Sequence, residues 1–308
     1  MKTTSLLVVL LLLAGAASVA VAQTPAVAHN TWTTGAPMAV ALASQAVGVL
    51  EGQIYVVGGG IPYGTPLANT QIYDPATNTW SAGAPIPVAT ANGASAAVVN
   101  NILYVFGGES NAVWAYNPRK NSWSSKSPMP TGRGCTGAAV EDHIVYVIGG
   151  CDLEDPYDRL TTVESYDPAT DTWTEEAPLL VGKSQPSVAR VRNKLVGFTI
   201  VAADGFTASG DTGDNEGYDA TTNSWTSLAP DPMPRNGTCT GAINGKLYVA
   251  GGNGTSTESF SLSKNTWKTL TSMPQASQFP GSVVYKGQLF CFGGFWGGAL
   301  NNVQIYQP

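Results

Sequence analysis

The chain has 308 residues, 15 of them basic and 21 acidic, and only 12% of its residues are charged. A net charge of −6 excludes the basic footprint that a nucleic-acid partner needs, while 35 glycines and 20 prolines suit short strands and tight turns better than a helical bundle. Two histidines and four cysteines leave little material for a metal or nucleophilic centre.

Residues 1–22 read as a cleavable secretory signal. Lys2 precedes the unbroken apolar run from Leu6 to Leu13, and Ala20-Val21-Ala22 offers a small-x-small site before Gln23. The run falls short of the roughly 20 residues that span a bilayer. The mature chain is therefore expected to be 23–308, a single secreted or periplasmic domain and a monomer, without a membrane span. Loss of Lys2 leaves 14 basic against 21 acidic residues, a net of −7.

From there one phrase recurs. After HNTW at Trp32 come YDPATNTW ending at Trp80, YNPRKNSW at Trp123, YDPATDTW at Trp173, YDATTNSW at Trp225 and FSLSKNTW at Trp267. In the last five, an aromatic (Tyr73, Tyr116, Tyr166, Tyr218, Phe260) stands seven positions before the tryptophan with turn-forming residues between. Upstream lie apolar strands that stop at a glycine pair: Gly58-Gly59, Gly107-Gly108, Gly149-Gly150, Gly251-Gly252 and Gly293-Gly294. Each pair begins 26 or 27 positions after the preceding tryptophan; counting 26 from Trp173 lands on Thr199, which predicts one repeat without its pair. Small-residue stretches such as Ala94 to Val99 and Thr136 to Val140 supply a further strand. Each repeat thus reads as four short strands, the period of a propeller blade. Trp32 has no inner strands before it, and the last repeat stops at Tyr306 with no tryptophan after it. The N-terminal strand is therefore expected to complete the C-terminal blade, closing six four-stranded antiparallel blades into an all-β propeller.

Glycine pair, aromatic and tryptophan in this order and spacing resemble Kelch repeats over the whole mature chain. The resemblance implies a six-bladed β-propeller and no particular activity, since Kelch-type propellers include adaptors, carbohydrate-binding modules and a few enzymes. The copper enzyme galactose oxidase, which is Kelch-like, needs a histidine pair and a cysteine-linked tyrosine that His29 and His143 do not supply, so no catalytic residue, metal or cofactor is expected. The leading expectation is a non-catalytic module that binds a protein, peptide or carbohydrate through the loops of one face. The alternative is a carbohydrate-active enzyme resembling periplasmic sialic-acid mutarotases, which would need a carboxylate base beside an arginine.

Ten positions beyond the tryptophans stand Arg133, Lys183 and Arg235, whereas the other three blades have Leu42, Thr90 and Ser277. Three consecutive cations predict an arc at the channel mouth suited to an anionic ligand. Tyr63, Tyr157, Phe295 and Trp296 in the variable loops are expected to stack on that ligand; Phe206 lies among the same loops. Two acidic loops, Asp152 to Asp158 and Asp204 to Glu216, raise a cation, but their spacing does not match a calcium loop. Cys135 and Cys151 are expected to form a disulfide across one hairpin. Cys239 reads as equivalent to Cys135, and Cys291 is left without an assigned partner. Asn236-Gly237-Thr238 and Asn253-Gly254-Thr255 are acceptor sequons for glycosylation.

Overall fold

The computed structural model describes residues 28–60, 65–90, 93–155, 158–193 and 197–308. The signal segment 1–22 and the loop tyrosines Tyr63 and Tyr157 lie outside the described residues. Within them, six four-stranded antiparallel sheets follow one another as blades. Blade 1 consists of Ala46–Leu50, Gln53–Val57, Thr70–Asp74 and Thr79–Ala82. The innermost strands of blades 2 to 6 are Ser95–Val99, Gly137–Glu141, Ser187–Asn193, Thr238–Ile243 and Gly281–Tyr285. Thr31–Gly35 pairs antiparallel with Ala299–Gln307, matching Trp32 to Tyr306. The N-terminal strand thus closes the ring as the outer strand of blade 6.

The repeated octapeptide is the fastening between blades. Each tryptophan Nε1 donates to the carbonyl four residues beyond the tryptophan of the preceding blade: Trp80 to Ala36, Trp123 to Ala84, Trp173 to Ser127, Trp225 to Ala177 and Trp267 to Ala229. Trp32 donates to Thr271 and closes the circle. The Asn or Asp two places before each tryptophan turns the chain in the left-handed region, with φ between 45° and 56°, which short polar side chains tolerate. Its side-chain oxygen then accepts the N–H of that same anchoring residue, as Asn78 does from Ala36 and Asp171 from Ser127. Asn30 does so from Thr271. Where the aromatic is tyrosine, its hydroxyl donates to the same oxygen, as Tyr73 does to Asn78. Each tryptophan ring lies 5.0 or 5.1 Å from the aromatic of its own blade. Trp80 and Trp173 also meet Phe292 and Phe106 of the preceding blade edge-on. Packing between twisted sheets and two directed hydrogen bonds therefore explain why one chain repeats this phrase.

Blade 4 corrects the expected register. The second-strand residue paired with the aromatic is Ile54, Leu103, Val145, Leu247 or Leu289 in five blades and Ile200 in blade 4. In the five blades the glycine pair begins four residues later; the same step from Ile200 reaches Asp204-Gly205, not Thr199-Ile200. The inner hairpin of blade 4 pairs from Ser187↔Ala203 to Asn193↔Gly197, seven rungs against five in blades 1 to 3. The longer hairpin displaces any count that starts from Trp173. Thr199 and Ile200 are mid-strand, and the repeat keeps its second glycine while its first is an aspartate.

Candidate binding face

Loops after the second strand and crossings from one blade to the next emerge at the same end, where the innermost strands begin. Just before those strands, Ser44, Gly93, Cys135, Gln185, Gly237 and Phe279 all take left-handed φ values. Three of them tie blade to blade: Ser44 N–H to Phe279 O at 2.8 Å, Phe279 N–H to Gly237 O at 2.7 Å and Gln185 N–H to Cys135 O at 2.6 Å. Inside this collar lies a cavity of about 190 Å³ lined by hydroxyl and amide side chains, among them Gln45, Ser95, Thr136, Gln185, Thr238 and Ser282, with no charged side chain.

The three cations do not line it. Arg133 and Lys183 are fully buried and Arg235 is 2% exposed, so the expected anionic arc at the mouth is corrected. Each turns into its own blade and meets a glutamate on the third strand. Arg133 pairs with Glu164 and donates to Val147 O at 3.1 Å. Lys183 meets Glu216 at 2.9 Å. Arg235 pairs with Glu258 and with Asp231 at 2.7 Å. Burial lowers the Arg133 pKa against the opposing pull of Glu164. Burial also acts to lower that of Arg235, but Asp204 and Asp231 outweigh it and the net shift is upward. In blades 3 and 4 the glutamate also accepts crossing N–H groups: Thr131 gives to Glu164, and Leu180 and Val181 give to Glu216. In two of the three blades without the cation a glutamine does this job, with Val40 N–H on Gln71 and Gln275 N–H on Gln304. The sequence carries this pairing. Two places before the aromatic stand Glu164, Glu216 and Glu258 in the blades with cations, and Gln71, Trp114 and Gln304 in the others. Scanning that position would have marked the cations as anchors.

The junction of blades 4 and 5 differs from the rest in two linked residues. Elsewhere the first glycine packs on the crossing, where an added Cβ would stand 2.5 Å from the Lys183 or Ser277 carbonyl at Gly149 and Gly251. The same Cβ would approach Leu179 at 3.4 Å or Met273 at 3.0 Å, the apolar residue six beyond the tryptophan. At blades 4 and 5 these two places are Asp204, with φ 55°, and Asp231. Asp204 is fully buried and Asp231 3% exposed. The Asp204 carboxyl accepts from Ser187 at 3.2 Å. Burial first, and then the Asp231 charge, push its pKa well above the usual carboxylate range. Burial and a neighbouring carboxylate both disfavour the charged form of such a carboxyl.

The disulfide expectation also changes. Cys239 and Cys291 are joined, with Cα atoms 5.6 Å apart, because the inner strand of blade 5 and the second strand of blade 6 face each other across one buried cluster. Cys239 sits in the strand opposite Ala250, whereas Cys135 belongs to the collar, so the two are not equivalent. Cys135 and Cys151 are not bridged; the interaction between the two thiols raises the Cys135 pKa and lowers that of Cys151. Of the loop aromatics, Phe295 is half-buried and its backbone bridges to Gln278, while Trp296 is 50% exposed. Within the acidic loops, Asp204 and Glu216 point inward, and among the described residues no three ligating side chains converge.

The face also exposes apolar side chains. Among the described residues the exposed large apolar side chains are Val40, Val88, Leu153, Leu180, Phe206, Met233 and Trp296. Every one lies on a crossing or a loop of this end, and none on the hairpin end.

Residues 54–304 match the model of the Attractin/LZTR1 beta-propeller family. Kelch-like protein 23 of Homo sapiens is 27% identical over 265 residues, covering 83% of this chain and 46% of its own. Kelch-like protein terF of Aspergillus terreus is 28% identical over 173 residues, or 51% of this chain and 38% of its own. The chain thus spans about half the length, or less, of these curated relatives. Among solved structures, that of YjhT superposes with a TM-score of 0.75 over 88% of this chain and 96% of its own, at 21% identity, a likeness of fold. Blade register, ring closure and the family match agree: the chain belongs to the Attractin/LZTR1 β-propeller family of Kelch-repeat propellers.

Proposed function

We propose that this propeller is a binding module that holds a protein partner across its loop face. The segregation of every exposed large apolar side chain among the described residues to that one end carries the reading, since such groups mark interaction sites when they gather on one surface. Its Kelch-like relatives support it at the level of the module. A sugar-acid enzyme would need an arginine open to substrate beside a carboxylate base. Arg133 and Arg235 are instead buried against Glu164 and Glu258, which removes these two as that arginine.

Export from the cell is part of the same proposal. The Cys239–Cys291 bridge suits an oxidising compartment, and N-terminal sequencing of exported protein should begin at Gln23; an intact Met1 would contradict it. The binding reading is tested by partner capture with two surface variants. Leu180→Ser with Phe206→Ser should abolish capture, while Lys246→Glu with Lys264→Glu on the hairpin end should leave it intact. Capture lost only in the second variant would overturn the reading, as would protein-accelerated mutarotation of free sugar acids.

A further inference from the structure

We propose that the sector of the loop face between blades 3 and 4 docks a partner segment in which cationic side chains alternate with apolar ones. The proposal rests on the protein-binding reading and adds to it the sector and the chemistry of the partner. A groove of about 550 Å³ runs there, lined by Asp158, Arg159, Val181, Thr207, Asp211 and Asp214 among others. Its rim is apolar: Leu180, 56% exposed, adjoins Val181, and Phe206, 36% exposed, adjoins Thr207. Met233, 47% exposed, flanks it from the next crossing, because Asp231 N–H binds Gly213 O at 2.8 Å.

The charge inside the groove chooses the occupant. Asp211 accepts from the side-chain amides of Asn236 and Asn253, and Asp214 accepts from the Thr212 hydroxyl at 2.7 Å. These donors are neutral, and the three carboxylates of the groove outnumber its single guanidinium, Arg159. Arg159 lies with its guanidinium 5.1 Å from the centre of the Phe206 ring. With Arg133, Lys183 and Arg235 buried, it is the one cation lining the groove among the described residues. Glu109, Asp152, Glu154 and Asp155 extend the acidic field on the same face, whereas the exposed lysines Lys120, Lys246, Lys264, Lys268 and Lys286 stand on turns and outer strands elsewhere. Such a field attracts a basic segment and repels an acidic one, and the apolar rim supplies the desolvated contacts that hold it. The sign of the ligand is the reverse of what exposed cations at the channel mouth would have selected.

The test pans a random-peptide phage library on the purified full chain and on two variants. One carries Asp158→Asn, Asp211→Asn and Asp214→Asn, which keep an acceptor oxygen at each place; the other carries Leu180→Ser and Phe206→Ser. Enriched peptides should combine Arg or Lys with Leu, Phe or Trp. Their binding should fall by about ten-fold or more in each variant, and also on raising salt from about 0.05 to about 0.5 M, as screened charge pairs do. Asp158→Asn alone, at an exposed side chain, serves if the triple variant loses its melting transition. Enrichment of neutral or acidic peptides, or basic peptides that bind both variants undiminished, would overturn this proposal and leave the protein-binding reading standing. Failure of any peptide to bind the loop face would remove both.

Discussion

Blades 3 to 5 and blades 6, 1 and 2 fasten their crossings by different means. In the first set a buried cation and a third-strand glutamate form an ion pair; in blades 6 and 1 a neutral glutamine accepts the same N–H group. The geometry is nearly the same, yet the consequence of damage is not. Removing one member of a buried ion pair leaves a charge stranded in a medium that cannot solvate it, whereas removing a glutamine costs a hydrogen bond and its partner's desolvation. The charged half also lies directly beneath the acidic, apolar sector of the loop face, so its loops are held by ion pairs buried below that surface.

That contrast can be broken by substitution. The largest effect is expected at Lys183→Met, which strands Glu216 and should lower the unfolding free energy by about 3 to 5 kcal/mol in denaturant titration. A loss under about 1 kcal/mol would mean the pair is solvated. Next comes the Cys239–Cys291 bridge. Its replacement by two alanines should cost about 2 to 4 kcal/mol, while Cys135→Ala, outside any bridge, should cost less. A slope, not an offset, is expected from Asp204. Its folded pKa is raised above the unfolded value near about 4, so the stability it contributes is full below that value and is lost as pH rises through the folded one. Burial raises the neighbouring Glu258 in the same direction, with Arg235 and Asp231 facing both. Restoring the usual pair by Asp204→Gly with Asp231→Met should flatten the fall in melting temperature from acid to neutral pH; an unchanged profile would show that Asp204 holds no proton. Gln71→Leu, in the neutral half, should cost about 1 kcal/mol, the smallest of the series.

Blade number, strand order and ring closure were legible because tryptophan, turn residue and aromatic act together across every junction and so recur at fixed spacing. Asp204-Gly205 was hidden because the count ran from Trp173 through a hairpin of variable length. Counted back from Tyr218, the pair ends 13 residues away, inside the range of 8 to 16 found in the other blades. The three cations were found at the right register and given the wrong exposure. Their partners Glu164, Glu216 and Glu258 are distant in sequence but recur two places before the aromatic, a signal that exists only when both positions are compared blade by blade. Cys291 could not be paired from sequence because its partner lies on another blade, where contact depends on how the sheets twist together.

A double-mutant cycle on Arg133 and Glu164 tests the account most directly. Arg133→Met, Glu164→Gln and the double variant would be unfolded in denaturant alongside the unmodified chain, and each would be assayed for binding of small carboxylates. The account predicts a coupling energy of about 2 to 3 kcal/mol and no carboxylate binding that depends on Arg133. Coupling near zero, together with carboxylate binding that disappears in Arg133→Met, would place the arginine at an open ligand site and contradict it.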